Sequence, residues 1–73
     1  MVADLLAETF QVRRSDIREE SGLADLGLDS LARVELGAEL KDRFGVAVPE
    51  DILTATSPLS DVLNFVRYVR GSQ

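Results

Sequence analysis

The residues best placed to do chemistry in this chain are Asp29 and Ser30. Gly27 and Leu28 precede them, and from Leu31 onward apolar residues recur at helical spacing, so the pair marks the junction of a loop and a helix. A primary hydroxyl at that junction faces solvent. Asp29 suits the N-cap, because its carboxylate accepts a bond from an unpaired amide of the first turn and leaves the Ser30 oxygen free to point outward. Ordinary capping explains Asp29 by itself and Ser30 in part. An unassisted serine is a poor nucleophile, and no base with a pKa near neutrality stands beside Ser30. The chemistry on offer is therefore substitution of the hydroxyl by a separate enzyme.

Composition excludes whole classes of function. With no Cys and no His, the chain has no disulfide, thiolate nucleophile, imidazole base or soft metal ligand. Seventy-three residues make one domain, 1–73, too small for a deep substrate cleft. A single core of this size supplies only about 3–5 kcal/mol of net stability. An enzyme is not expected, and neither a catalytic residue nor a metal site is assigned. Thirteen acids against eight bases give a net charge of −5, which repels a phosphate backbone and argues against nucleic acid. Partners should be basic or apolar. No apolar run approaches the roughly 20 residues that span a bilayer, and the start lacks a secretory signal pattern, so no membrane association, a cytoplasmic location and a monomer are expected.

The elements that must hold Ser30 follow from periodicity. Val2, Leu5, Leu6 and Phe10 form one helical stripe, predicting a first helix over 2–11 with Arg13 and Arg14 beyond its negative end. Val12 and Ile17 read as core anchors. A long loop comes next, with Leu23, Leu26 and Leu28 recurring along it as though pinning it over the core. The second helix should span 30–44. Its Leu36, Leu40 and Phe44 make an i, i+4, i+8 row, and Leu31, Val34 and Ala38 make another about a third of a turn away. Pattern alone balances burial of both rows against exposure of the second as a binding strip. Glu39 is spaced to pair with Arg43, and Gly45 should stop the helix.

Val46 and Val48 then alternate in a short extended piece, and Pro49 fits the first position of a short third helix over 50–53. Ile52 and Leu53 should reach the core or the lip of a pocket. Ser57 and Pro58 read as N-cap and first residue of a last helix over 58–70, whose Leu59, Val62, Leu63, Phe65, Val66 and Val69 form a wide apolar face. Gly71, Ser72 and Gln73 should fray. Leu36, Leu40, Phe44 and Phe65 are the expected core. The fold class is all-α: a four-helix bundle with a long loop between helices one and two and a short third helix.

Leu26-Gly27-Leu28-Asp29-Ser30-Leu31, followed by Val34-Glu35-Leu36, resembles the phosphopantetheine attachment motif of acyl carrier proteins. The resemblance extends over nearly the whole chain, through Phe44-Gly45 and Val48-Pro49 to the last helix, in order, spacing and length. It implies that Ser30 carries 4'-phosphopantetheine donated by coenzyme A, with Asp29 near the magnesium held in a phosphopantetheinyl transferase. The arm's terminal thiol would hold an acyl group as a thioester, importing the thiol this chain lacks. The helix bearing the serine is the family's main recognition surface, which here implies Leu31, Val34, Glu35 and Ala38 as partner-binding positions. An acyltransferase, a ketosynthase and other synthase enzymes of polyketide or fatty acid biosynthesis are the implied partners. Arg33, Lys41 and Arg43 are interspersed with Glu35, Glu39 and Asp42, unlike the strongly anionic fatty-acid-synthase carriers, which hints at polyketide-type company.

Other readings differ in what they require. A peptidyl carrier domain of a nonribosomal peptide synthetase would have the same fold and arm with different cargo. An unmodified helical interaction module would leave Ser30 merely exposed. Gly27-Leu28-Asp29-Ser30-Leu31 superficially resembles a Gly-Asp-Ser-Leu hydrolase, but Leu28 interrupts that motif, and without His the usual triad cannot be assembled.

Overall fold

The computed structural model describes residues 2–71. Apolar residues at three- and four-residue spacing form three α-helices there: α1 (Val2–Thr9), α2 (Ser30–Phe44) and α3 (Leu59–Gly71). Single 3₁₀ turns occur at Arg14–Asp16, Ala24–Leu26 and Glu50–Ile52. Among the described residues there is no strand, only an isolated antiparallel bridge between Gly22 and Pro58. The all-α class therefore stands, but the expected third helix is one 3₁₀ turn. Three residues are too few to close a helix that survives by its own hydrogen bonds, so packing of Ile52 and Leu53 against the core holds the turn. Pro49 precedes it at the cap, with φ −63° and ψ 151°, and is not its first residue.

α1 ends two residues earlier than its stripe suggests. Gln11 takes a left-handed conformation, φ 58°, and the Leu6 carbonyl accepts from both the Phe10 and Val12 amides. That turn ends α1 and leaves Val12 in the core. The chain then folds back beside α1, so the Arg14 guanidinium lies 2.7 Å from Asp4 in the first turn and not at the helix's negative end.

Core side chains come from every segment: Leu5 and Leu6 of α1, Leu36 and Leu40 of α2, Val62 and Val66 of α3, and Leu23, Leu26 and Leu28 of the long loop. The leucines do pin the loop. Backbone bonds strap it as well, Leu23 N–H donating to the Ser57 carbonyl and Ala24 N–H to that of Ala55, each at 3.0 Å. Phe44 and Phe65, expected inside, are half-buried at the edge, and the Arg70 guanidinium sits 5.5 Å from the centre of the Phe44 ring.

Ser57 does not cap α3. Its side chain is buried and its hydroxyl bonds to Thr54, at 3.2 Å from the amide and 2.6 Å from Oγ1, tightening the preceding turn. The unpaired amides opening α3 are taken by the loop instead: Leu59 N–H donates to the Ser21 carbonyl at 2.9 Å and Ser60 N–H to that of Glu19 at 2.8 Å. Pro58 stays outside the helix. Gly71 is the last residue of α3 where fraying was expected; Ser72 and Gln73 lie outside the described residues.

Candidate functional site

The approach to Ser30 is built by two reversals of the chain. Gly27, at φ 85°, closes the 3₁₀ turn in the left-handed region and sends Leu28 back into the core at 2% exposure. Asp29 emerges extended, and its carboxylate accepts the Ala32 N–H at 2.8 Å as the N-cap of α2. The first helical bond, from Arg33 N–H to the Asp29 carbonyl at 2.9 Å, leaves the Ser30 and Leu31 amides with no acceptor in the helix. Ser30 is thus the exposed first residue of α2, its hydroxyl lying in the positive field of the helix end.

At the other end of α2, Gly45 adopts φ 68° and donates its N–H to the Leu40 and Lys41 carbonyls, as the stop signal required. Along the helix, the Leu36 row is buried and the Leu31 row is open. Leu36 and Leu40 are 0% exposed, whereas Leu31 and Val34 are 67% and 69% exposed. Glu35 and Ala38 also face solvent. The geometry brings Leu31, Val34 and Ala38 together as an apolar strip running away from Ser30. Glu39 and Arg43 pair at 2.7 Å on the same helix.

A feature missed in the pattern of mixed charges lies on the other flank of Ser30. The Arg33 guanidinium donates to the Leu28 carbonyl at 2.9 Å and to Ser30 Oγ at 3.3 Å. Its three-residue spacing from Ser30 on a helix was the available signal, since such positions are neighbours on one face. Arg33 and Ser30 together border a groove of about 400 Å³ between α2 and the 3₁₀ turn, lined further by Val34, Gly37, Val48, Glu50 and Leu53. Leu53 was expected at the lip of a pocket and is there; Ile52 packs against the core.

The sequence family described as "Phosphopantetheine attachment site" matches residues 2–66, which include this helix end, its groove and most of the core. The chain belongs to that family. Among its relatives, the acyl carrier protein of Thermobifida fusca is 33% identical over 67 residues, covering 90% of this chain and 85% of that protein. The acyl carrier protein of Lactobacillus acidophilus is 30% identical over 71 residues, covering 96% and 89%. The meromycolate extension acyl carrier protein of Mycobacterium leprae is 30% identical over 67 residues, and this chain spans 58% of its length. Members of the phosphopantetheine attachment family are carriers without catalysis of their own. They bear a covalent 4'-phosphopantetheine group installed by a phosphopantetheinyl transferase and work with synthase enzymes. The residues here fit such a group: an exposed hydroxyl, free helix-end amides and a guanidinium suit its phosphodiester, and an open groove starts beside them.

Proposed function

We infer that the chain is a single carrier domain that tethers acyl intermediates of polyketide or fatty acid biosynthesis as thioesters on 4'-phosphopantetheine attached to Ser30. The observation that carries this reading is the exposed Ser30 hydroxyl at the capped start of α2, with a guanidinium and an open groove at its side. The bound group supplies a long arm ending in a thiol. This chain's own residues do the rest: Asp29 fixes the helix end and thereby the direction of the hydroxyl, and the amides of the first turn favour the anionic diester. The equal numbers of basic residues (Arg33, Lys41, Arg43) and acidic residues (Glu35, Glu39, Asp42) on α2 support polyketide-type partners, acyltransferase and ketosynthase among them. The domain works as a cytoplasmic monomer.

Partners dock on the strip beside Ser30. At about 100° per residue, Val34 lies about 40° round the helix from Ser30 and Glu35 about 140°. Apolar contact at Leu31 and Val34 supplies most of the affinity, with Ala38 extending the strip, while Glu35 and Asp29 orient a basic partner surface and speed encounter. The test begins with intact mass after incubation with coenzyme A and a broad-specificity transferase. A gain of one phosphopantetheine, absent in Ser30→Ala, is expected; no gain in the parent chain refutes the reading. Transferase kinetics then examine the strip. Val34→Asp should slow modification with helicity intact, and Glu35→Lys should lower the association rate less as salt rises. Unchanged kinetics for both would place recognition elsewhere.

A further inference from the structure

Arg33 stands in a chemical situation that its neighbours do not explain. Arg33 as a whole residue is half-buried on α2, and both of its hydrogen bonds go to neutral oxygens. Among the described residues the ion pairs are Arg14 with Asp4 and Arg43 with Glu39, so Arg33 has no counter-anion there. The bond to the Leu28 carbonyl, 2.9 Å, is of ordinary length and fixes one arm of the planar fork. The contact to Ser30 Oγ is 3.3 Å, beyond the usual range of about 2.7–3.2 Å for N–H···O, and contributes little as it stands. A guanidinium held at one arm, and without an ion pair among the described residues, thus stands beside the one oxygen proposed to be substituted.

We propose that Arg33 grips the phosphodiester of the arm once Ser30 is loaded, a role that rests on the Ser30 reading. Esterification turns Ser30 Oγ into a weak acceptor and places anionic non-bridging oxygens two bonds beyond it, within reach of a guanidinium whose nitrogen already lies 3.3 Å from Oγ. A guanidinium presents parallel donors in the geometry that phosphate oxygens accept, and such charge-assisted bonds are about twice as strong as neutral ones. The Leu28 carbonyl holds the fork in place before the phosphate arrives, so little side-chain entropy remains to be lost. Glu50 lines the same groove, and its negative charge disfavours the diester close to its own carboxylate. The arm therefore leaves Ser30 from a fixed point at the mouth of the groove.

The experiment compares unmodified and loaded forms of the parent chain, Arg33→Gln and Arg33→Lys, each checked by intact mass. Loading should move the side-chain Nε–Hε cross-peak of Arg33 and raise the melting temperature of the parent by about 4–8 °C at low salt. Arg33→Gln should lose at least half of that rise and displace the phosphorus-31 resonance, and Arg33→Lys should keep part of it. Because each variant is compared with its own unmodified form, loss of the Leu28 contact cancels. An unmoved Arg33 cross-peak, or a full rise with an unshifted phosphorus resonance in Arg33→Gln, overturns the grip while the Ser30 reading survives. Absence of the mass gain in the parent overturns both.

Discussion

Replacing Gly37 by alanine should stabilise this domain, although the structure shows a close neighbour waiting for the new methyl. Gly37 sits in the middle of α2, where glycine costs about 0.5–1 kcal/mol relative to alanine through backbone entropy. Against that gain, a Cβ at Gly37 would stand 3.0 Å from Leu53 Cδ1. Carbon atoms attract best at about 3.5–4.0 Å, so Leu53 has to retreat by several tenths of an ångström. That atom ends a flexible side chain and borders the groove of about 400 Å³, so a small rotation is available. A full 30° departure from a rotamer would cost about 0.5–1.5 kcal/mol, and the retreat needed is smaller than that. The net expectation is a gain of about 0.5 kcal/mol, or a rise in melting temperature of about 2–4 °C by circular dichroism. Gly37→Val should go the other way, because its two γ-carbons and stiff χ1 leave no such escape. A Gly37→Ala variant melting below the parent would show that Leu53 is locked in place and that the groove has rigid walls.

Truncating Leu40 to Ala removes a side chain with 0% exposure and should cost about 2–5 kcal/mol, comparable with the whole stability of a domain this size. The variant should be largely unfolded by circular dichroism, and a parent-like melt would mean that the Leu31 row is the buried one. Gln11→Gly relieves a left-handed non-glycine residue at φ 58° and should raise the unfolding free energy by up to about 1 kcal/mol, read as a higher urea midpoint with an unchanged m-value. Asp4 titrates at about 2, lowered first by the amino terminus and then by the Arg14 guanidinium. Its contribution to stability is whole above the ordinary value of 3.8 and is lost as pH falls through about 2, so Asp4→Asn should flatten the acid limb of the stability profile in that window. The pair is exposed, so the effect should be small and should fade with salt.

Particular residues show where reading the chain worked and where it stopped. Asp29 and Gly45 bound α2 at the expected positions because an N-cap carboxylate and a left-handed glycine act on amides and carbonyls a few residues away. The Leu23, Leu26 and Leu28 anchors were legible because three leucines in a polar loop have nowhere to go but the core. Ser57 misled for the opposite reason. Its place before Pro58 fits a cap, yet the α3 amides were taken by the Ser21 and Glu19 carbonyls, acceptors 38 to 41 positions away that local rules do not see. Arg33 was legible in spacing but was lost among the alternating charges of α2, since sequence does not say which of several arginines lies beside a given hydroxyl.

By itself, then, the amino-acid sequence determined the helical periodicity, the caps of α2, the position of Ser30 at its start and the absence of any side chain able to replace an imported thiol. These depend on contacts within one or two turns and on composition. Only the tertiary structure decided which row of α2 faces out, that the segment after Pro49 closes as a 3₁₀ turn, how the long loop caps α3, and that Arg33, Gly37 and Leu53 meet around a groove beside Ser30. Each of those outcomes depends on where distant segments pack. An apolar row or an unpaired amide records the need for a partner, and the fold alone chooses which partner meets it.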